Sequence, residues 1–344
     1  MRDDQYVLNH CTAFLARLNR DRRHDFGFGH YEVGDARALI REAWRFPIID
    51  TCSDHSNDQA SRFNDVTFVY RSDPGVDVQA FVVGTFANLH SPLKMRRVLF
   101  NGEPTGYSAT TVTVPKSGVF YYRFIVDGLV AIDPINPQRK SMDNGITWSR
   151  FFTWECTQPI VFQRWEQGIV ERLCDHILPF RTKEAQRFLS WYYDGLSADA
   201  RRGVIRRAYR LDDSAGAANY IDKVLAREEA HHLTDYRICL RQIERILRQR
   251  EPGLEPLDMP RDVYNAVLEE MKSNNVAGWD YAAYGSPQFF LDILRRHAFT
   301  GAFSHPKYGG NASASGWAYL QSRFPFDWQQ SLEQPLGTSQ AYWG

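Results

Sequence analysis

The residues best suited to chemistry lie in the second half of the chain. There it reads His305-Pro306-Lys307-Tyr308-Gly309-Gly310-Asn311, followed by Gly316-Trp317. Pro306 fixes its own φ and restricts the backbone before it, while Gly309 and Gly310 allow positive φ and close approach of another backbone. The spacing predicts a shaped loop that presents His305, Tyr308, Asn311 and Trp317. Histidine is the usual general base, yet no Ser or Cys nucleophile motif, no G-x-G-x-x-G after a strand and no phosphate loop accompanies it. Two readings are open: a surface that meets a partner, or a buried turn with Trp317 as a core plug. The first is the expectation, with the glycines required because a partner's backbone comes close.

A second constellation is Glu228-Glu229-Ala230-His231-His232, which holds two overlapping Glu-x-x-His pairs. On a helix that spacing sets carboxylate and imidazole on one face, as in di-iron bundles. The apolar stripe Leu225, Tyr236, Leu240, Ile243 and Leu247 puts Glu229 and His232 on its buried side. A di-iron set needs a second Glu-x-x-His and two more glutamates, and the chain has no second copy. A hydrogen-bonded structural pair without metal is therefore expected; the alternative is a stand-alone metal-dependent oxidase built on Glu229 and His232. Arg202, Arg206 and Arg210, also at helical spacing, read as a solvated helix face.

These residues need a scaffold, and the hydrophobic period supplies one. Phe162, Trp165, Ile169, Leu173 and Ile177 form a helical stripe that ends at Pro179. Further helices are predicted at about 183–195, 198–211, 216–250, 260–273 and 287–297, the last opened by Ser286 as N-cap and Pro287 as first helical residue. Upstream the period is two: Val66–Tyr70, Val78–Gly84, Thr110–Val114 and Val119–Val126 read as strands separated by Asp73-Pro74-Gly75, Asn101-Gly102 and Lys116-Ser117-Gly118. Residues 1–63 read as a lead-in with short helices, one carrying Val7, Cys11, Phe14, Leu15 and Leu18 and one from Asp35 to about Arg45. The predicted fold class is α+β and multidomain: the lead-in, an all-β immunoglobulin-like sandwich over 64–156, and a mostly α-helical domain over 157–344 with an irregular C-terminal loop region.

Composition narrows the partners. The chain's 344 residues balance 41 basic against 41 acidic side chains, so it lacks the positive field that dominates nucleic-acid binding. Its five cysteines, Cys11, Cys52, Cys156, Cys174 and Cys239, form no C-x-x-C pair and read as free, mostly buried thiols. No apolar run approaches the roughly 18 residues that span a bilayer, so no membrane insertion is expected. Arg22-Arg23 is followed by His24-Asp25-Phe26-Gly27 rather than an apolar stretch, which predicts no export signal.

The HPKYGGN heptapeptide with Gly316-Trp317, and the helix ending Leu173-Cys174-Asp175-His176-Ile177-Leu178-Pro179, resemble the small subunit (subunit 3) of gluconate 2-dehydrogenase over residues 160–330. The resemblance implies a non-catalytic accessory subunit that binds and stabilises the large flavoprotein subunit of a sugar or polyol dehydrogenase of the glucose-methanol-choline type. It implies no cofactor in this chain and FAD in that partner, with His305, Pro306, Tyr308, Gly309, Gly310, Asn311 and Trp317 as partner-binding residues. Such subunits often carry a twin-arginine signal; its absence departs from the pattern and implies a cytoplasmic location, or a periplasmic one only by export with a partner.

Val83-Gly84-Thr85-Phe86-Ala87-Asn88, Tyr121–Gly128 and Asp133-Pro134-Ile135-Asn136-Pro137 resemble the immunoglobulin-like (E-set) module of glycogen-branching enzymes, isoamylases and the glycogen-binding subunit of AMP-activated kinase. That resemblance implies carbohydrate as a partner, with Trp148 and Trp154 as weak sugar platforms and a glucan-targeting protein as the alternative function. Leu89 stands where these modules usually carry a stacking tryptophan, so docking or spacing is the first reading.

Overall fold

The structure is a computed structural model that describes residues 3–11, 43–53, 62–73, 76–195, 197–198, 216–311 and 314–323. These residues gather into two compact units, one ending at Trp154 and the other beginning at Glu155. Residues Phe14, Leu15 and Leu18, most of the stretch 35–45, and Arg202, Arg206 and Arg210 lie outside the described residues.

In the first unit the strands are β1 (Ile48–Thr51), β2 (Phe63–Arg71), β3 (Ala80–Gly84), β4 (Leu93–Lys94), β5 (Arg96–Phe100), β6 (Glu103–Pro115), β7 (Val119–Val126), β8 (Leu129–Ala131), β9 (Arg139–Ser141) and β10 (Thr147–Phe152). They form two antiparallel sheets, ordered β1-β2-β6-β5 and β4-β3-β7-β10-β9, with β8 paired to β7. The alternation of β2 and β6 divides their side chains between two cores. Val66, Phe68 and Val114 meet Val82, Tyr122, Phe124 and Phe151 of the second sheet. Val69, Tyr107 and Ala109 face the other way, against Val7, Leu8, Cys11, Phe46 and Ile48. The first sheet is thus covered on both faces, and Ile48–Thr51, within the stretch expected to be lead-in, is one of its strands. Burial pushes the Cys11 thiol up to about 12, and all five cysteines are free and buried, as expected.

Two hairpins follow from their turn dipeptides. Asn101-Gly102 and Asp127-Gly128 all take positive φ, the conformation whose twist matches antiparallel strands. The Asp133–Pro137 stretch has no ladder partners, so side chains stand in for them. Asp133 accepts from the Tyr122 hydroxyl (2.6 Å), Ile135 N (2.7 Å) and Asn136 N (3.2 Å). Asn136 donates to the Arg150 carbonyl (2.8 Å) and accepts from Gln138 N (2.9 Å).

The second unit is helical: α1 (Arg164–Ile177), α2 (Lys183–Gly195), α3 (Ala217–Leu225), α4 (Leu233–Arg250), α5 (Arg261–Lys272), α6 (Pro287–Phe303) and α7 (Ser315–Arg323). One core joins them through Ile169, Leu173, Ile221, Leu225, Tyr236, Leu240, Ile243, Phe290 and Leu294. At the start of α6 the Ser286 hydroxyl accepts from Phe289 N (3.2 Å), the expected cap, but the helix runs past 297 to Phe303. The single helix expected over 216–250 is instead two. After Leu225 the chain turns, Glu229 N reaches back to the Val224 carbonyl (2.9 Å), and Ala230–His232 form one 3-10 turn before α4 begins. No helix among the described residues is long and apolar enough to cross a membrane.

Asp133 gives the first unit a testable pH dependence. Its burial outweighs its hydrogen bonds and raises its pKa to about 6. Below about pH 4 the folded and unfolded chains both hold its proton; between 4 and 6 only the folded chain does, so this contribution to stability falls as pH rises and levels off above 6. The margin of wild type over Asp133→Asn should shrink by up to about 3 kcal/mol between pH 4 and 7. Denaturant unfolding of both proteins across that range measures it, and a constant margin contradicts it.

Candidate functional site

The loop begins where α6 ends. Ser304 N still bonds the Thr300 carbonyl (2.8 Å), after which His305 is extended and its Nδ1 accepts from Lys307 N (3.1 Å). Pro306–Tyr308 make one 3-10 turn, closed by Gly309 at φ +92° with its N–H on the Pro306 carbonyl (2.9 Å). Asn311, buried and at φ +45°, pins both sides of the loop: Nδ2 donates to the Ser304 carbonyl and Oδ1 accepts from Gly316 N, each at 2.8 Å. Trp317 donates its indole N–H to the Phe303 carbonyl (2.6 Å), and its ring meets that of His305 edge-on at 5.6 Å.

Beneath the loop lies a buried polar group built on α3. The Asp222 carboxylate accepts from three successive amides, Ile160 N (2.7 Å), Val161 N (2.9 Å) and Phe162 N (2.9 Å). The Lys223 ammonium spends its three donors on Asp222 Oδ2 (2.9 Å), Asn219 Oδ1 (2.9 Å) and the Gln158 carbonyl (2.8 Å). Asn219 Nδ2 then bridges the Cys156 carbonyl (2.9 Å) and the Gly309 carbonyl (2.7 Å). Glu155 N adds a bond to the Lys307 carbonyl (3.0 Å). Buried charges tolerate removal from water only when partnered this fully.

The glycines have an internal reason. A Cβ on Gly310 would overlap the Gly301 carbonyl oxygen, and one on Gly316 would overlap the Ala302 carbonyl oxygen. A Cβ on Gly309 would lie 2.8 Å from Asn219 Nδ2. The close approach inferred from sequence is therefore real, but the backbone that comes close is the chain's own. Gly309, Gly310 and Asn311 are buried, His305, Pro306 and Trp317 are half-buried, and Tyr308 is 43% exposed. What the loop offers to solvent is chiefly an aromatic edge, with Lys307 Nζ 5.1 Å from the Tyr308 ring. Nearby on α6, exposed Phe299 stacks on Phe303 at 6.4 Å.

The Glu-x-x-His pair also departs from expectation. The turn between α3 and α4 lifts Glu229 and His232 off the apolar stripe, leaving their side chains 27% and 14% exposed. Glu229 Oε2 lies 3.6 Å from His232 Nε2, 3.5 Å from His231 Nε2 and, across on α6, 3.8 Å from His297 Nε2 and 3.1 Å from the Arg296 guanidinium. The ligand atoms of Glu229, His231 and His232 all fall within 4.8 Å of one another. Burial, then the Arg296 charge, pushes the His297 pKa down to about 4, so this ring is neutral at neutral pH. His231, His297 and Arg296 were not paired with Glu229 and His232 by sequence reasoning. Nor were Asn219, Asp222 and Lys223, although polar residues at i, i+3 and i+4 within the apolar Ala217–Leu225 run were a readable sign.

In the first unit, Trp148 and Trp154 are half-buried. The Arg123 guanidinium lies 5.1 Å from the Trp148 ring and Lys116 Nζ 6.0 Å from that of Trp154. Leu89 is exposed.

Residues 165–322, from α1 into α7, match the family model described as gluconate 2-dehydrogenase subunit 3. No curated protein matches the chain. Among solved structures the chain is similar to enterochelin esterase from Shigella flexneri, with 19% identity over 26% of this chain and 30% of that one and a TM-score of 0.23. It is similar also to ferric enterobactin esterase from Salmonella typhimurium, with 17% identity over 28% and 32% and a TM-score of 0.24. The match spans less than a third of either esterase's length.

The glycine geometry sets an expectation. Gly310→Val should lower the unfolding free energy of the chain by about 3 kcal/mol or more, since neither overlapping partner is a side chain that can swing away. Tyr308→Ala, at an exposed position, should change it by less than about 0.5 kcal/mol. Urea unfolding followed by helical circular dichroism checks both; equal effects contradict the placement of Gly310.

Proposed function

We propose that this chain is a non-catalytic accessory subunit of a flavin-dependent sugar or polyol dehydrogenase, and that it binds and stabilises a large FAD-carrying subunit of the glucose-methanol-choline type. The observation that carries this reading is the subunit 3 match over residues 165–322, which takes in the His305–Trp317 loop. The local geometry supports the partner role of that loop. Its backbone is held rigid from below, so that the exposed Tyr308 and the half-exposed His305 and Trp317 are presented at little cost in entropy on docking. Aromatic side chains in a rigid setting are the usual anchors of such contacts.

On this reading the flavin chemistry belongs to the partner, and no step of it is assigned to this chain. The first unit, with two antiparallel sheets facing across Phe68, Tyr122, Phe124 and Phe151, is read as an immunoglobulin-like module for docking or spacing. A cytoplasmic site of action, or a periplasmic one reached by export with the partner, belongs to the same proposal.

Capture with tagged full-length chain from the native host tests it: the retained protein should carry FAD, seen in its absorption spectrum. Tyr308→Ala should weaken that capture about thirtyfold, the equivalent of about 2 kcal/mol, without lowering the melting temperature of the free chain. Retention of no flavoprotein contradicts the function, and undiminished capture by Tyr308→Ala contradicts the loop as its surface.

A further inference from the structure

We propose that Glu229, His231, His232 and His297 bind one divalent transition-metal ion of the zinc class, which clips the turn between α3 and α4 to α6. The inference rests on donor geometry and does not depend on the accessory-subunit reading.

Sequence reasoning left Glu229 and His232 short of ligands. The fold supplies them from His231 in the same turn and from His297, on a helix far along the chain. Three imidazole nitrogens surround one carboxylate oxygen at 3.5, 3.6 and 3.8 Å. Donors bound at about 2.0–2.1 Å to a tetrahedral ion lie roughly 3.4 Å apart. Glu229, His231 and His232, whose ligand atoms all lie within 4.8 Å of one another, form the core of such a set, and His297 completes it by closing in on His231 and His232 from α6. A three-nitrogen, one-oxygen set suits zinc, cobalt, nickel or copper and is poor for magnesium or calcium.

The outer contacts aim the rings. His232 donates its Nδ1 proton to Asp235 Oδ2 at 2.7 Å, which leaves the Nε2 lone pair toward Glu229. In His297, Nε2 accepts from Arg296, which can only donate, at 3.2 Å. The ring proton is therefore on Nδ1, which faces the Tyr236 hydroxyl at 3.0 Å. A carboxylate, backbone carbonyl or water holding the far nitrogen is the usual orienting partner of a metal-binding histidine; Asp235 fills that role for His232, and the Tyr236 hydroxyl takes the same position at His297.

A cation already holds two of the four donors. The Arg296 guanidinium stands 3.1 Å from Glu229 Oε2 and 3.2 Å from His297 Nε2, on a side chain that is 55% exposed. It neutralises the carboxylate when no metal is bound and can swing out to solvent when one arrives. Metal and Arg296 therefore compete for the same two donors, which a chance histidine site on the surface would not show.

The test uses full-length chain stripped with chelator and titrated with Zn2+ against a competing indicator, and with Co2+ to read coordination from its visible bands. Wild type should bind one equivalent, with Co2+ bands of four-coordinate strength and a raised melting temperature. Glu229→Gln and His232→Ala should each weaken binding at least tenfold, while Arg296→Ala should tighten it several-fold. The apo melting temperature of Glu229→Gln, a near-isosteric change, separates lost ligation from lost folding. No stoichiometric binding overturns the proposal. So does binding that His231→Ala abolishes but Glu229→Gln and His232→Ala leave intact, or binding that Arg296→Ala fails to tighten.

Discussion

The helical unit depends on one buried carboxylate. Asp222, fully inaccessible, collects the three amides that lead into α1, and Lys223 beside it is neutralised there while reaching the Gln158 carbonyl and Asn219. Removing two such charges from water costs several kcal/mol each unless every donor and acceptor is met. Meeting them fixes three stretches of backbone far apart in sequence: the entry segment at 156–162, helix α3 and, through Asn219, the turn at Gly309. The glycines of α6 and of the loop then allow that turn to settle directly on helical backbone. An exposed aromatic edge at Tyr308 is the outcome of this chain of constraints.

The β unit solves a similar problem by the same means. Where the chain crosses from β8 to β9 it cannot continue a ladder, and buried backbone N–H and C=O groups must still be paired. Asp133 and Asn136 supply the missing acceptors and donors, anchored to Tyr122 of β7 and the Arg150 carbonyl of β10. In both units irregular backbone is held by one buried acid with an amide side chain beside it. The motifs that stand out in the sequence, Asp-Pro-x-Asn-Pro and the glycine-rich heptapeptide, mark where regular hydrogen bonding stops.

How legible this was varied with the kind of signal. Asn101-Gly102 and Ser286-Pro287 act through their own backbone preferences and each did what it predicts, and Asp127-Gly128 turns its hairpin by the same preference. Strands β5, β8 and β10 were not read as strands, and β4 and β9 could not have been, because one has two residues and the other, Arg139–Ser141, is exposed throughout, so neither carries an alternating pattern. The break between α3 and α4 was hidden because the apolar stripe continues across it from Leu225 to Tyr236 with no Gly or Pro to mark a turn. His297 lies 65 residues from His232 in a helix whose polar positions look ordinary, so only the fold could bring it to Glu229. The glycine reading was right about close approach but placed the neighbour in another protein.

The central claim, that one buried carboxylate ties the entry segment to the loop, is tested most directly by amide hydrogen exchange on Asp222→Asn. If the account is right, protection is lost together at 160–162 and at 305–311, while the centres of α4 and α5 keep theirs. Faster exchange confined to Ile160, Val161 and Phe162, with Gly309 and its neighbours unchanged, would contradict it and leave the loop standing on its glycines alone.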